Sequence, residues 1–407
     1  MIGRDRTGMR RRYREIAAVL ARHGLGAVSV QLGLGRVLPF HRGLLGSSRR
    51  ERPSSQAEHL RLALEELGTT AIKLGQVLST RPDLLDPELV AELEKLRDRV
   101  PPVPTEAILA AAEAELGRDP VEVFADFERT PLAAASIGQV HGATLQDGTR
   151  VVIKVRKPGV AETVTSDLAI LQDLARRADR AGIFGRDYDV EGLAAEFAWT
   201  LHEELDYVRE GRNADRLREV LRAEPRAVVP AIHWSATSGG VLVMERVDGV
   251  RIDDLAALQR RGQDRSALAQ LSAELLLRQV FVAGFFHADP HPGNLLVLED
   301  GRLALVDFGM VGRLDDDQRR AFVLLLLATV HQDPAAMTRG LKRLGILRSP
   351  GARAAVRRDL ERLLDRYYGL NLEQFGLGGF LHDLLAVSAG IGWRSPVTWP
   401  CCSRRSR

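Results

Sequence analysis

The chain has 407 residues, enough for two or three modest domains or one large bilobal unit. Apolar residues make up 45%, charged residues 27% and the net charge is +3, so bulk charge gives a nucleic-acid partner no support. The two cysteines are adjacent, Cys401 and Cys402, which excludes a disulfide framework or a cysteine zinc site and makes a reducing, cytoplasmic setting the default.

The chain opens on GRDRTGMRRRYR, a concentration of positive charge, followed by the mildly amphipathic EIAAVLARHGLGAV. Such an arm can lie on an anionic membrane or partner surface, or stay a solvated, flexible N-terminus. Arg22 and His23 interrupt any apolar stretch behind the basic start, so no secretory signal is visible. The longest apolar run, AFVLLLLATV from Ala321, has ten residues, which suits a buried helix and is too short for a transmembrane span.

SSRRERPSSQ reads as a linker, and from Gln56 to about Leu116 the pattern is helical, broken by Pro82, Pro87 and the prolines from Pro101 to Pro104. VEVFADFE, AASIGQVHGATL and RVVIKVRK then read as strands, with Gln146 to Thr149 as a hairpin turn. Helices are expected over about 161–181 and 190–223, strands at AVVPAIHW and GVLVMERV, and a helix over 267–283. A strand pair, Leu295 to Leu298 and Leu303 to Val306, precedes a helical pattern from Asp315 to about Ala389. This order predicts an α+β, protein-kinase-like bilobal fold with an N-terminal helical extension. The expected domains are a basic arm and linker (1–55), the extension (56–120), an N-lobe with inserted helices (121–249), a C-lobe with C-terminal helices (250–393) and an anomalous tail (394–407).

The chemistry concentrates in HADPHPGNLLVLEDGRLALVDFG, from His287. His287, Asp289 and His291 alternate as ligands on an extended segment can, but a catalytic zinc or iron needs further ligands, and no second cluster offers them. Phosphoryl transfer uses more of the residues. Asn294 lies five residues after Asp289, and Asp307-Phe308-Gly309 arrives eighteen residues after it, across one hairpin. That spacing matches a kinase catalytic loop followed by a magnesium-binding acid. Upstream, Lys154 in VVIKV sits in the strand context of a phosphate-gripping lysine. Its acidic partner is open among Glu196, Glu203, Glu204 and Asp206. Where a glycine-rich loop is expected, the chain has PLAAASIGQV, and alanine neither takes positive φ easily nor lets phosphate approach as closely as glycine. Ser136 can add a hydroxyl contact there.

These motifs resemble the UbiB/AarF atypical kinase-like family associated with isoprenoid quinone biosynthesis. The resemblance rests on Ala133-Ala134-Ala135-Ser136 with Ile137-Gly138-Gln139-Val140, on Lys73-Leu74-Gly75-Gln76, on Glu204-Leu205-Asp206, and on the His287–Gly309 block. It implies a helical extension folded over the active site, with Lys73 and Gln76 on one helix face occupying space where a protein substrate would dock. It also implies that Glu204 and Asp206 lie beside the nucleotide and meet the Lys73–Gln76 segment. ATP and Mg²⁺ are the implied cofactors. Lys154 would hold the α/β-phosphates, Asp289 would act as base or water-orienting group, and Asn294 and Asp307 would hold Mg²⁺. The nucleotide contacts would extend over Ala133, Ala134, Ala135, Ser136, Gly138, Gln139 and Val140, and Glu245 would sit on the adenine-facing hinge.

The implied function is ATP hydrolysis or phosphorylation of a small or lipid-related substrate in ubiquinone, menaquinone or related lipid metabolism. An isoprenoid lipid or quinone precursor and a peripheral contact with the inner face of the membrane would be the partners. Two alternatives use the same motifs: a phosphotransferase for a soluble small molecule, and a nucleotide-holding pseudokinase-like module. Family members commonly continue into apolar C-terminal helices, whereas RSPVTWPCCSRRSR from Arg394 fits no helix pattern. With GC-rich codons it reads as a frameshifted end, in which case distal helices and any anchor are lost and the nucleotide site precedes the break.

Overall fold

A computed structural model describes residues 3–25, 55–79, 85–96, 102–182, 189–344 and 353–366. Most of the expected linker, the helical pattern beyond residue 366 and the tail at 394–407 lie outside the described residues. The strands are β1 (Phe124–Phe127), β2 (Ala133–Ala134), β3 (Gly138–Leu145), β4 (Arg150–Arg156), β5 (Ala227–Val228), β6 (Val241–Glu245), β7 (Val250–Arg251), β8 (Phe285–His287), β9 (Leu295–Val297), β10 (Leu303–Leu305) and β11 (Val311–Arg313). The chain divides into two compact units, 1–208 with 233–246, and 209–232 with 247–407.

The first unit holds an antiparallel sheet in the order β1-β3-β4-β6, with β2 paired to β3. Side chains alternate across it. Val151, Ile153 and Val155 of β4 and Val241 and Val243 of β6 point to one face, where Ile108 and Ala112 of a helix over Thr105–Leu116 cover them. The other face carries Val140, Lys154 and Leu242, which are register partners across three strands. The β3–β4 turn forms as expected: Gly148 has φ +85° and the Thr149 amide donates to Asp147 Oδ1 at 2.9 Å.

The basic start is not a free arm. Helix α1 (Gly3–Arg22) docks on α2 (Gln56–Leu67) by burying Ala17, Val19 and Leu20 against Ala63. Arg12 grips Asp167 through two hydrogen bonds, at 2.7 and 2.9 Å, and also donates to the Leu67 carbonyl at 2.7 Å. The reason was hidden in the periodicity: an apolar stripe runs along the same helix as the arginines. Helix α3 (Thr69–Ser79) follows α2, and α4 (Pro87–Leu93) packs on both.

The helical pattern expected over 190–223 is two helices, one over Val190–Glu204 and one over Tyr207–Leu221. The break falls at Leu205-Asp206, where Asp206 Oδ1 accepts from the Val208 amide at 3.1 Å and starts the second helix. Only Ala227–Val228 of AVVPAIHW is a strand, because Pro230 has no amide to donate.

The second unit begins within the 207–221 helix. Ala214, Leu217 and Leu221 pack into a core with Leu258, Leu271, Leu275, Leu303 and Phe308. Its sheet runs β5-β10-β9-β7, with β5 parallel to β10, and β8 pairs with β11. Residues 209–232 belong to this unit, with β5 paired to β10. The expected helix over 267–283 is α-helical over Arg265–Leu277 and ends in a π-helical turn over Arg278–Ala283. Three further helices, over Asp316–Val330, Pro334–Arg343 and Arg353–Arg366, share a separate core. The AFVLLLLATV run is not buried all round. Ala321, Leu325 and Ala328 are buried, the last two in that core, while Val323, Leu324, Leu326, Leu327 and Val330 are exposed. Among the described residues no helix is long and apolar enough to cross a membrane.

Candidate nucleotide and magnesium site

In the first unit two lysines are held by the short segment Glu204 to Tyr207. Lys73 Nζ lies 3.2 Å from Glu204 Oε2. Lys154 Nζ lies 5.1 Å from the centroid of the Tyr207 ring, a cation–π distance. Tyr207 is 1% exposed and its amide donates to the Gly239 carbonyl at 3.1 Å. Arg156, two residues after Lys154, donates to the Leu205 carbonyl at 2.8 Å. The segment is thus tied to the sheet that carries Lys154.

Each residue of the Lys73–Gln76 motif has its own task. Leu74 packs against Ile137, Val164 and Leu168. Gly75 lets α3 approach its neighbours, because a Cβ there would lie 2.2 Å from Leu96 Cδ1. Gln76 donates to the Leu96 carbonyl at 3.3 Å. Gln76 therefore braces the extension on the same helix that carries Lys73.

The alanine-rich loop is a tight hairpin, with Ala133 opposite Val140 and Ala134 opposite Gln139. Its tip is tucked inward. Ser136 is buried and its carbonyl accepts from Thr69 Oγ1 at 3.2 Å, and Ile137 joins the apolar cluster under α3. Gly138 serves packing: a Cβ there would meet the Tyr207 hydroxyl oxygen at 2.2 Å. Gln139 is fully buried, on the core face of the sheet. It accepts from the Val103 amide at 2.9 Å, donates to the Val103 carbonyl at 3.1 Å and reaches His141 Nε2 at 2.9 Å. Ala133, Ala134, Ala135 and Val140 are left as the accessible part of the loop. Glu245 is exposed at the end of β6, and Asp206 is exposed at the helix start.

In the second unit the His287–Gly309 block folds as one network. β8 delivers His287, whose amide donates to Gln279 Oε1 at 2.9 Å. His287 Nδ1 accepts from the Asp289 amide at 3.2 Å, so the neutral ring carries its proton on Nε2, which faces the Val306 carbonyl at 3.4 Å. His291 Nδ1 accepts from the Gly293 amide at 2.9 Å. Both histidines shape the loop's backbone. Asn294 Nδ2 donates to the Asp289 carbonyl at 3.1 Å and reaches Asp289 Oδ2 at 3.4 Å. The Val306 amide donates to the Asn294 carbonyl at 3.0 Å, and the Ala288 amide donates to the Met310 carbonyl at 3.1 Å. Asp307 sits between those tie points with φ +64°, in the left-handed region that L-residues avoid. Such strain persists only where the surroundings over-determine it, and it concentrates at functional positions.

Residues 95–341 match the ABC1 atypical kinase-like domain. The chain belongs to the ABC1 atypical kinase-like family. It is 38% identical to the chloroplastic protein ACTIVITY OF BC1 COMPLEX KINASE 7 of Arabidopsis thaliana over 88% of this chain and 51% of that one. It is 40% identical to the probable protein kinase UbiB of Marinobacter nauticus over 69% of this chain and 52% of that one. The chain thus spans about half the length of these two curated relatives. Among solved structures, Rv3197 from Mycobacterium tuberculosis in complex with erythromycin is similar at a TM-score of 0.52 and 25% identity, covering 83% of this chain and 91% of that chain. The fold is kinase-like, with mixed helices and sheets, as the element order predicts.

The ABC1 family's kinase-like fold implies a nucleotide with Mg²⁺, and the donor set suits that ion. Mg²⁺ takes hard oxygen donors, usually one or two carboxylates together with phosphate oxygens and water. Asp307 offers an exposed carboxylate. Asn294 spends its amide nitrogen on Asp289, which leaves Oδ1 as the atom suited to a cation. Among the described residues no group of three or more His, Cys, Asp or Glu is placed to hold a metal ion.

Sequence reasoning missed Tyr207, Asn213 and Gln279. Asn213 Nδ2 donates to the Phe308 carbonyl at 3.0 Å, and both residues are buried. The signal was present in the helix over 207–221. Tyr207, Glu210, Asn213, Ala214, Leu217 and Leu221 fall on one helical stripe, and Glu210 and Asn213 are polar residues on an otherwise apolar buried face. A buried polar residue at such a position needs a partner.

Proposed function

We propose that this ABC1-family chain is an atypical kinase or ATPase that uses ATP with Mg²⁺ and serves isoprenoid quinone or related lipid metabolism at a membrane surface. The observation that supports it most is the strained Asp307, tied on both sides to the loop that carries Asp289 and Asn294. In this reading Lys154 holds the α/β-phosphates, and Tyr207 and the 204–207 segment keep that lysine in place. Asp289 orients the attacking hydroxyl or water, with Asn294 bridging to its carboxylate. Asn294 and Asp307 hold Mg²⁺, which when bound neutralises charge on the β- and γ-phosphate oxygens. Backbone groups next to Glu245 receive the adenine. The buried Ser136 and Gln139 leave the backbone of Ala133–Ala135 to meet the phosphates.

Support for phosphoryl chemistry comes from the family and from the kinase names of two relatives. The quinone assignment rests on the motif resemblance to the UbiB/AarF family, and the phosphoryl acceptor is a small or lipid-related molecule. Two experiments test the reading. Purified protein should hydrolyse ATP with Mg²⁺, faster with lipid or detergent, and Asp307→Asn should abolish the activity. A deletion strain complemented with wild type should recover its quinone profile, and one complemented with Asp307→Asn should not. Turnover indifferent to lipid, with an unchanged quinone profile, would contradict the assignment.

A further inference from the structure

We infer that Asn213 is a positioning residue for the magnesium site: its side-chain amide fixes the Phe308 carbonyl and thereby keeps Asp307 in its left-handed conformation. The inference rests on the Mg²⁺ reading above, and it concerns a contact the catalytic-loop pattern does not contain. Four observations converge on the turn. Asp307 has φ +64°. The Asn213 Nδ2–Phe308 O hydrogen bond is 3.0 Å long, with Asn213 4% exposed and Phe308 fully buried. Val306 and Met310, which bracket the turn, are tied through their backbones to Asn294 and Ala288. The Phe308 ring lies in the core of the second unit, 6.1 Å from the His287 ring at 60°.

The outer ties set where the turn begins and ends, and the ring sets where Phe308 sits. Neither fixes the rotation of the peptide plane between Phe308 and Gly309. Within the turn, the Asp307 carboxylate accepts from the Gly309 amide at 3.3 Å. Asn213 adds a constraint on the Phe308 carbonyl from a separate helix. Without its N–H the Phe308 carbonyl is a buried acceptor that must find another partner, and the shift of the Phe308 backbone that reaches one is taken up at the adjoining Asp307, whose positive φ relaxes. Asparagine suits the place because its amide donates as a fixed planar group. Leucine matches its size without a donor, and aspartate would set a second acceptor against the carbonyl.

The test measures ADP affinity by calorimetry with and without Mg²⁺, on the full chain, for wild type, Asn213→Leu, Asn213→Gln and Asp307→Asn, with thermal melts alongside. For Asn213→Leu, ADP affinity without metal should stay within about twofold of wild type, while the strengthening by Mg²⁺ shrinks by roughly tenfold. Asn213→Gln, which keeps the donor one methylene further out, should recover part of the loss. A folded Asn213→Leu protein with the wild-type Mg²⁺ effect overturns the inference, as does an equal fall in affinity with and without metal, which marks a merely structural role. If Asn213→Leu fails to fold, Asn213→Gln decides: a melting temperature lowered with an intact Mg²⁺ effect overturns the inference. Asp307→Asn separates the two claims. If it leaves the Mg²⁺ effect untouched, the magnesium reading fails first, whatever Asn213 does.

Discussion

Lys73 Nζ stands 3.2 Å from Glu204 Oε2, and each side chain is less than one-fifth exposed. The pair fastens α3 of the extension to the end of the helix that precedes Tyr207. Removing either partner alone leaves the other charge without this counter-ion in a mostly dry place. Lys73→Ala and Glu204→Ala should each destabilise by roughly 2–4 kcal/mol, and the double variant by less than their sum, with a coupling of about 1–2 kcal/mol. Urea titrations of the three variants measure the cycle. Additive losses would show that the two side chains act independently.

Gly75 tests the packing of the same helix. A Cβ there would lie 2.2 Å from Leu96 Cδ1 and 3.0 Å from Leu64 Cδ1. Gly75→Val should cost about 1–3 kcal/mol through overpacking. Shortening the obstructing side chain should return part of it, so Gly75→Val with Leu96→Ala should be less destabilised than the two single effects summed. Thermal melts decide.

The four leucines from Leu324 to Leu327 should respond very differently to truncation. Leu325 is 7% exposed and belongs to the core of the three last described helices, whereas Leu326 is 41% exposed. Leu325→Ala should cost about 2–4 kcal/mol, and Leu326→Ala should stay within about 0.5 kcal/mol of wild type. Equal effects in denaturant melts would contradict the orientation of this helix.

Much of this was legible in the sequence, and the misses have physical causes. The β3–β4 hairpin and the His287–Gly309 block were readable because turn chemistry and motif spacing are local. Whether a helix is covered is not local: the same leucine run reads as buried, yet of the four only Leu325 is buried among the described residues. The basic start read as a free arm because its acidic partner, Asp167, lies 155 residues away. Gln139 read as a nucleotide contact because the motif marks the position and not the side of the sheet. Counting strand alternation from Lys154 through its register partner Val140 puts Gln139 on the core face.

His141 gives the fold a pH dependence of known sign. Its Nδ1–H donates to the Glu128 carbonyl at 2.8 Å and its Nε2 accepts from Gln139 at 2.9 Å, which requires a neutral ring. Burial holds its pKa below the usual histidine value. The folded state therefore binds fewer protons than the unfolded chain as pH falls through about 6.5, and stability falls with it. Replacing the ring should flatten this response: the melting temperature of His141→Gln should drop less between pH 7.5 and 5.5 than that of wild type. Parallel slopes would show that other groups govern acid sensitivity.

In the function proposed above, Asp307 brings Mg²⁺ to a bound nucleotide. Asp307→Asn is the sharpest probe, because asparagine tolerates positive φ and only the charge is lost. The direct measurement is calorimetric binding of a non-hydrolysable ATP analogue with and without Mg²⁺. Wild type should bind the analogue more tightly with Mg²⁺, and Asp307→Asn should bind it without metal yet gain at least tenfold less from Mg²⁺. An identical Mg²⁺ gain in both proteins, or none in wild type, would contradict the account.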